Sequence, residues 1–349
     1  MKSRNYAYTF TVSSPPTADA TIDALWDEID PYTIETEVPS YNFPVDGHDI
    51  WWDEYEGTGT SLTMKSVYTE EDIYFLFQWD DTEDSKTRMA WYYNQSGGKW
   101  LQMGKKYPDE FGNSPAYEDK FTMFWNISIS DFPENGCQPL CHGANMATNN
   151  PGDMADIWHW KRDRNGPVNQ VDDKWLDDET NGRHGDGGTS SYSSNTQTLI
   201  TTAGDTLDAP EYWIPGRTDY HWILQSEIDD GTARKIVDLN ADGNFVDEDG
   251  TVLEKSEFGY SSNKVIPSLK GIQPATGSRG DVSAWHKWEN GKWTLKIKRA
   301  RDTGNDDDLQ FTTPGDEYWF SVGIMDAAAI AHALPDGFSG TAYRMILEE

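Results

Sequence analysis

The feature that most limits what this chain can fold into is the distribution of its aromatic residues. The 16 tryptophans and 17 tyrosines are spread through short segments in which apolar and polar residues alternate, and no stretch sustains a 3.6-residue period. A period of two sends successive side chains to opposite faces of a strand, so the pattern predicts an all-β chain built as a β-sandwich. Thr21–Trp26 leads into a strand at Tyr32–Val38, and Ser61–Tyr68 with Ile73–Trp79 flank Thr69-Glu70-Glu71-Asp72 as a hairpin. Lys120–Ile127, Lys292–Arg299, Glu317–Ile324 and Thr341–Leu347 read as further strands. From about 143 to 280 strand pattern is sparse and Gly, Asn, Asp and Ser abound, which reads as a loop-rich insertion on the scaffold. Strands near both ends of the chain predict a single domain over residues 1–349.

Lys120–Ile127 delivers the chain to Gly136-Cys137-Gln138-Pro139-Leu140-Cys141-His142-Gly143, which holds the only two cysteines in 349 residues. A c-type haem needs two thiols to add to the porphyrin vinyl groups and a neighbouring histidine to reach the iron. The usual spacing has two residues between the cysteines, and this loop has three. Two other chemistries fit the pair: a small disulfide ring in an exported protein, or a zinc site that would take two more ligands from elsewhere. Covalent haem attachment takes place outside the cytoplasm in bacteria and archaea, so the haem reading carries a periplasmic or other extracytoplasmic location with it. Met1–Phe10 has no apolar core of signal-peptide length and no window approaches membrane-spanning length. The expectation is a removed leader or another export route, and no membrane span.

The formal charge of −32, from 60 acidic and 28 basic residues, argues against nucleic acid and anionic membrane surfaces as partners. It suits solvation, or an acidic docking face for a basic redox partner. There is no Gly-x-Ser-x-Gly elbow, phosphate-binding Gly-x-x-x-x-Gly-Lys or His-Glu-x-x-His helix. Acids are too abundant for a glycosidase pair to be picked out by inspection. Because β-sandwiches include carbohydrate-binding modules with exposed tryptophans, a secreted sugar-binding module with a disulfide and a structural calcium is the alternative from a different class.

Asp238-Leu239-Asn240-Ala241-Asp242-Gly243-Asn244-Phe245-Val246-Asp247-Glu248-Asp249 matches a calcium loop. Oxygen side chains stand at positions 1, 3 and 5, glycine at 6 and an acid at 12. The expected ligands are Asp238, Asn240, Asp242 and Asp249 with the Asn244 carbonyl. No helical pair flanks the loop, and an acidic turn accounts for the same residues.

Four segments carry a family resemblance: Val67-Tyr68-Thr69-Glu70-Glu71-Asp72-Ile73-Tyr74-Phe75, Tyr117-Glu118-Asp119-Lys120, Ala155-Asp156-Ile157-Trp158-His159-Trp160-Lys161, and Asn290-Gly291-Lys292-Trp293-Thr294-Leu295-Lys296-Ile297-Lys298-Arg299. In their order along the chain they resemble the haem-binding subunits of ethylbenzene dehydrogenase and related molybdenum enzymes of the dimethyl sulfoxide reductase type. That family includes the gamma subunits of nitrate- and nitrite-oxidising and selenate- and chlorate-reducing complexes. The resemblance implies a β-sandwich with one haem held between loops at an edge, in several members a b-type haem on methionine and lysine. It also implies a molybdenum-containing catalytic subunit, an iron-sulfur subunit and a soluble redox carrier as partners, so this chain would transfer electrons and leave catalysis to a partner.

Two departures mark this sequence. One is the Cys-x-x-x-Cys-His loop. The other is that the segment where the family's lysine falls reads Met325-Asp326-Ala327-Ala328-Ala329-Ile330-Ala331-His332-Ala333. Together they fit one haem c attached through Cys137 and Cys141, with His142 and His332 as axial ligands. Met146, at the position of the family's methionine, is the alternative to His332, and Met154 is a weaker one. His159 and His286, each beside tryptophan, read as scaffold.

Overall fold

The computed structural model of the chain describes residues 6–39, 55–105, 107–141, 146–179, 182–335 and 342–348, with the backbone alone at Gln138 and Cys141. Within these residues the fold is all-β, dominated by a 13-stranded sheet. Its strands are β1 (Ala7–Thr11), β2 (Tyr32–Glu37), β3 (Gly59–Tyr68), β4 (Asp72–Asp80), β5 (Lys120–Asn126), β6 (Ala155–Lys161) and β7 (Asp172–Leu176). They continue with β8 (Arg183–Gly185), β9 (Ser283–Glu289), β10 (Lys292–Ala300), β11 (Glu317–Met325), β12 (Leu334–Pro335) and β13 (Tyr343–Leu347). The spatial order is β8-β7-β6-β5-β11-β13-β1-β3-β4-β10-β9, with β2 beside β3 and β12. Only β1 pairs in parallel, with β13 on one side and β3 on the other, so the two ends of the chain lock together at the middle of the sheet.

A sheet of this length curls on itself because every strand twists, and its inner faces then meet as a β-sandwich. Phe75, Phe77 and Trp79 of β4 meet Trp125, Phe121 and Trp160 across the interior at ring-centroid distances of 5.7, 4.6 and 6.4 Å. Trp293 of β10 stands 5.2 Å from Trp160. Beyond the strand ends, Val171 N–H donates to Val282 O (2.9 Å) and Ala284 N–H to Asn169 O (2.8 Å), which ties the β7 side of the sheet to β9.

The hairpin at β3–β4 and the strands β2, β5, β10, β11 and β13 lie where alternation places them. The β9–β10 hairpin turns through Asn290 (φ 54°) and Gly291 (φ 75°), the two positive φ values that a twist-matched two-residue turn requires. Thr21–Trp26 ends instead in a short 3-10 turn at Ala24–Glu28 that buries Trp26. The stretch from about 143 to 280 is richer in strands than its composition suggests. It supplies β6, β7 and β8 and a separate four-stranded sheet of Tyr212–Trp213, Arg234–Leu239, Phe245–Asp247 and Val252–Leu253. Ile236, Phe245 and Leu253 of that sheet share an apolar cluster with Trp91, Tyr93 and Trp100. Several of these strands are two or three residues long, too short for a period of two to register.

Trp160→Ala is expected to lower unfolding free energy by about 3–5 kcal/mol, because the fully buried indole leaves a cavity that the surrounding rings cannot fill. Urea titration followed by far-ultraviolet circular dichroism measures it. A loss below about 1 kcal/mol would mean that the aromatic interior does not hold the two halves together.

Candidate functional site

Strands β5, β6, β7 and β11 bury both faces. One face carries Phe121, Met123, Trp125, Trp158, Trp160, Phe320 and Val322 into the sandwich interior. The alternate residues form in-register rows on the opposite face. One row is Ser321, Phe124, Ile157 and Lys174, and the next is Gly323, Thr122, His159 and Asp172. Met325, Lys120 and Lys161 form a third.

The cysteine segment covers the first row. After β5 the chain makes two short helical turns, α1 (Phe132–Asn135) and α2 (Gln138–Cys141). Gly136 lies between them at φ 60°, a value that favours glycine. Cys137 is 8% exposed and shares an apolar cluster with Phe132, Leu140, Phe124, Ile157 and Leu176. Its N–H donates to Ser321 Oγ at 3.4 Å. Cys141 closes α2; its side chain and all of His142 lie outside the described residues.

His332 covers the second row. Its ring Cδ2 lies 3.4 Å from where a Cβ on Gly323 would stand, and that Cβ would also be 2.9 Å from Thr122 Cγ2. The ring is thus in van der Waals reach of the strand at Gly323, where the absent Cβ leaves Thr122 uncrowded. Ser321 and Gly323 are next-but-one neighbours on β11, about 7 Å apart, so Cys137 and His332, 195 positions apart in the sequence, are held over adjacent same-face positions of one strand.

His332 Nδ1 donates to Ile330 O at 2.6 Å. A carbonyl only accepts, so the proton is on Nδ1 and the lone pair on Nε2, the tautomer that backbone carbonyls commonly fix in metal-ligating histidines. Burial, aided by the charge of Lys120, pushes the ring's pKa down to about 4 and keeps it neutral.

The segment delivering His332 is pinned from below. Asp119 accepts the Ala327 N–H (2.9 Å) and the Ser85 N–H (2.8 Å). Lys120 Nζ donates to Ala329 O at 2.9 Å and lies 4.9 Å from the Tyr117 ring centroid. Burial and the charge of Arg164 hold Lys120 well below the usual lysine range. Burial and the neighbouring Asp81 raise Asp119 to about 8. Glu118 accepts the N–H groups of Asp163 (2.7 Å) and Arg164 (3.2 Å) and pairs with the Arg164 guanidinium. The Tyr117-Glu118-Asp119-Lys120 signature is thus buried scaffolding that positions the His332 segment.

His159 faces this same outer side. Burial and the charges of Lys161 and Lys120 hold it well below the usual histidine range, and its Nε2 has no hydrogen-bond partner. It is the residue that sequence reasoning set aside as scaffold; the one available signal was its phase, opposite to Trp158 and Trp160. His286 instead packs its ring 5.2 Å from Trp160. Met146 is half-buried with φ 47°, and Met154 is half-buried just before β6.

The Asp238–Asp249 segment is a β-hairpin turn whose oxygens are engaged locally. Thr202 donates its N–H (2.9 Å) and hydroxyl (2.5 Å) to Asp238, and these bonds hold that carboxyl below its usual range. Asn240 Oδ1 accepts the N–H groups of Asp242 and Asn244, both at 3.0 Å. The Asn244 carbonyl accepts the Asn240 N–H at 2.9 Å, and Asp249 pairs with Arg234. The carboxylates of Asp238, Asp242 and Asp249 do not form one of the groups whose oxygens all lie within 4.8 Å of one another.

None of the curated proteins compared with the sequence matches it. Solved structures that superpose on it include a family 9 carbohydrate-binding module from Caldicellulosiruptor kristjanssonii in complex with glucose, at 8% identity and a TM-score of 0.33, covering 98% of this chain and 95% of that one. The same module in complex with cellotriose gives 8% identity, a TM-score of 0.34 and coverages of 98% and 93%. A protein of Bacteroides uniformis ATCC 8492 described as carbohydrate-binding gives 7% identity, a TM-score of 0.37 and coverages of 98% and 99%. Likenesses this distant carry no argument about what the chain binds. A family model described as ethylbenzene dehydrogenase matches residues 23–334, nearly the whole chain, and by that match the chain belongs to the ethylbenzene dehydrogenase family.

Proposed function

We propose that the chain is an exported electron-transfer subunit of an oxidoreductase complex, carrying one haem c on the outer face of β11. The observation that carries this reading is the placement of Cys137 and His332 over Ser321 and Gly323, with the His332 tautomer set so that Nε2 holds the lone pair. When bound, the haem supplies one-electron redox chemistry. The chain's own residues attach it, orient it and shield it. Cys137 and Cys141 would hold it through thioethers, each thiol S–H adding across one vinyl C=C, and His142 would be an iron ligand. His332 would be the second iron ligand through Nε2, with Met146 as the alternative. The cluster of Phe124, Phe132, Leu140, Ile157 and Leu176 excludes water from the cysteine side. Family membership supports a place in a multi-subunit oxidoreductase, and a molybdenum-containing catalytic subunit with an iron-sulfur subunit is the assembly proposed. The acidic surplus suits a basic soluble carrier.

The alternative is a sugar-binding module, which would need an aromatic platform on its surface; binding to soluble glucans would reveal one. The two readings also separate at sight: the haem protein is red with a sharp Soret band, and the module is colourless.

Denatured protein should retain a haem mass and give a c-type pyridine haemochrome spectrum. Complete extraction of the haem by acid acetone would exclude attachment through Cys137 and Cys141.

His332→Ala should turn a low-spin spectrum partly high-spin, while Met146→Ala leaves it nearly unchanged. Gly323→Ala should disturb the same spectrum, because its Cβ would stand 2.9 Å from Thr122 Cγ2 and shift the strand surface beneath the His332 ring. The reverse result, with Met146→Ala opening the iron, would make His332 a packing residue.

Native mass analysis of protein taken from its source should find it with larger subunits, and reduction by a basic carrier should slow as ionic strength rises, since exposed charges are screened beyond about 8–10 Å. A monomer whose reduction is indifferent to salt would be a free-standing cytochrome instead.

A further inference from the structure

Strand β6 has a second chemistry on its inner face. Asp156 points inward between Ala155 and Ile157, and Asp173 does the same on β7. Arg299 of β10 reaches across the interior, 4.9 Å from the Trp158 ring centroid and 5.1 Å from that of Phe311, and bonds Asp156 Oδ2 at 2.7 Å. Leu309 N–H donates to the same oxygen at 3.1 Å. The loop that supplies Leu309 also brings Asp307 and Asp308, with Asp308 Oδ2 held by Thr303 Oγ1 (2.6 Å) and Asn305 Nδ2 (3.1 Å). Asp186, directly after β8, donates its N–H to Asp173 O at 3.3 Å.

These carboxylates converge. One oxygen each of Asp156, Asp173 and Asp308 lie within 4.8 Å of one another, and so do oxygens of Asp186, Asp307 and Asp308, so that Asp308 joins the two sets. Among the described residues Arg299 is the one cation paired within the group. Several of the oxygens also lack partners. Asp186 is 4% exposed and neither of its oxygens has a hydrogen-bond partner. Asp173 is 0% exposed with Oδ2 unpartnered, and Asp156 Oδ1 is unpartnered as well. Orphaned acceptors in an interior cost free energy unless something positive meets them. Burial and mutual repulsion accordingly raise Asp186 to about 8 and Asp156 to about 7, with Asp173 well above its usual range.

We infer that Asp186, Asp307 and Asp308, with Asp156 and Asp173 of the adjoining set beside them, bind a calcium ion that joins the two halves of the sandwich. The donor set is all oxygen, with no nitrogen or sulfur, which selects a hard cation. Calcium takes six to eight oxygens in an irregular shell, which suits carboxylates arriving from separate elements, whereas magnesium demands a near-ideal octahedron and keeps several of its waters. The ion would tie together β6, β7, the segment after β8 and the loop after β10, neutralising carboxylates that Arg299 alone leaves in excess. It lies on the face of β6 opposite the haem proposal and does not depend on it.

The test uses the full chain, treated with chelator and titrated with calcium chloride by calorimetry and by thermal melting. Calcium should raise the melting temperature, because it binds the native state and not the unfolded chain. Asp186→Asn should abolish that response, and Asp307→Asn, at the half-buried rim, should weaken binding by more than about tenfold. Asp242→Ala in the β-hairpin turn should leave the response intact. If Asp186→Asn does not fold, the Asp307→Asn titration carries the test. No calcium uptake by the wild type, an undiminished response in Asp307→Asn, or loss of the response in Asp242→Ala would overturn the assignment. A magnesium response equal to that of calcium would overturn the choice of ion.

Discussion

The constraint on which the structure depends is that β5, β6, β7 and β11 bury both of their faces while their side chains alternate. In Phe121-Thr122-Met123-Phe124-Trp125 the odd positions enter the aromatic interior, and Thr122 and Phe124 are left for the other side. A register slip of one residue would exchange the two sets. It would put Thr122, His159 and Gly323 into the aromatic interior and the indoles of Trp125 and Trp158 under the cysteine segment. The aromatic stacking across the sandwich therefore fixes the fold and, by the same register, which residues lie beneath Cys137 and His332.

A face lined with histidines and lysines would ordinarily be solvated. Here it is covered, and the polar groups beneath the cover must find partners within the protein. That is the physical role of the paired signatures around residues 117–120 and 155–161. Asp172 pairs with Lys161, with Arg279 at 2.8 Å and with Lys174 at 3.3 Å, so one carboxylate serves three cations. Asp119 and Lys120, adjacent in sequence but on opposite sides of the strand backbone, hold a backbone N–H and a carbonyl of the same short run, Ala327–Ala329.

Much of this was legible in the sequence. The hairpin of β3 and β4 and the strands β5, β10 and β11 follow from alternation alone, and the cysteine loop is visible because its residue types are rare in the chain. The setting of His332 was not legible. Gly323, Asp119 and Lys120 define it, and the last two are more than 200 positions away, so nothing local in Met325–Ala333 marks the ring as held against a strand. The strands between 143 and 280 escaped for a different reason. Asp172-Asp173-Lys174-Trp175-Leu176 is buried or half-buried on both faces and carries a carboxylate on each, so polarity carries no period there.

The same acidity that hides catalytic pairs in the sequence separates sites in the structure. Among the described residues, buried carboxylates outnumber buried cations more than twofold, and each excess charge must be met by N–H donors, a proton or an ion. Asp119 is met by two N–H donors. Asp163, alone beside Glu118, is pushed well above the usual range by burial and by that neighbour, which is the condition for holding a proton. Asp156, Asp173, Asp186 and Asp308 differ from both because several orphaned oxygens face one another from separate elements. One proton can satisfy a pair of oxygens, but it cannot bridge oxygens arriving from four segments. A divalent ion can, and it would do so where the loop after β10 closes over the sheet.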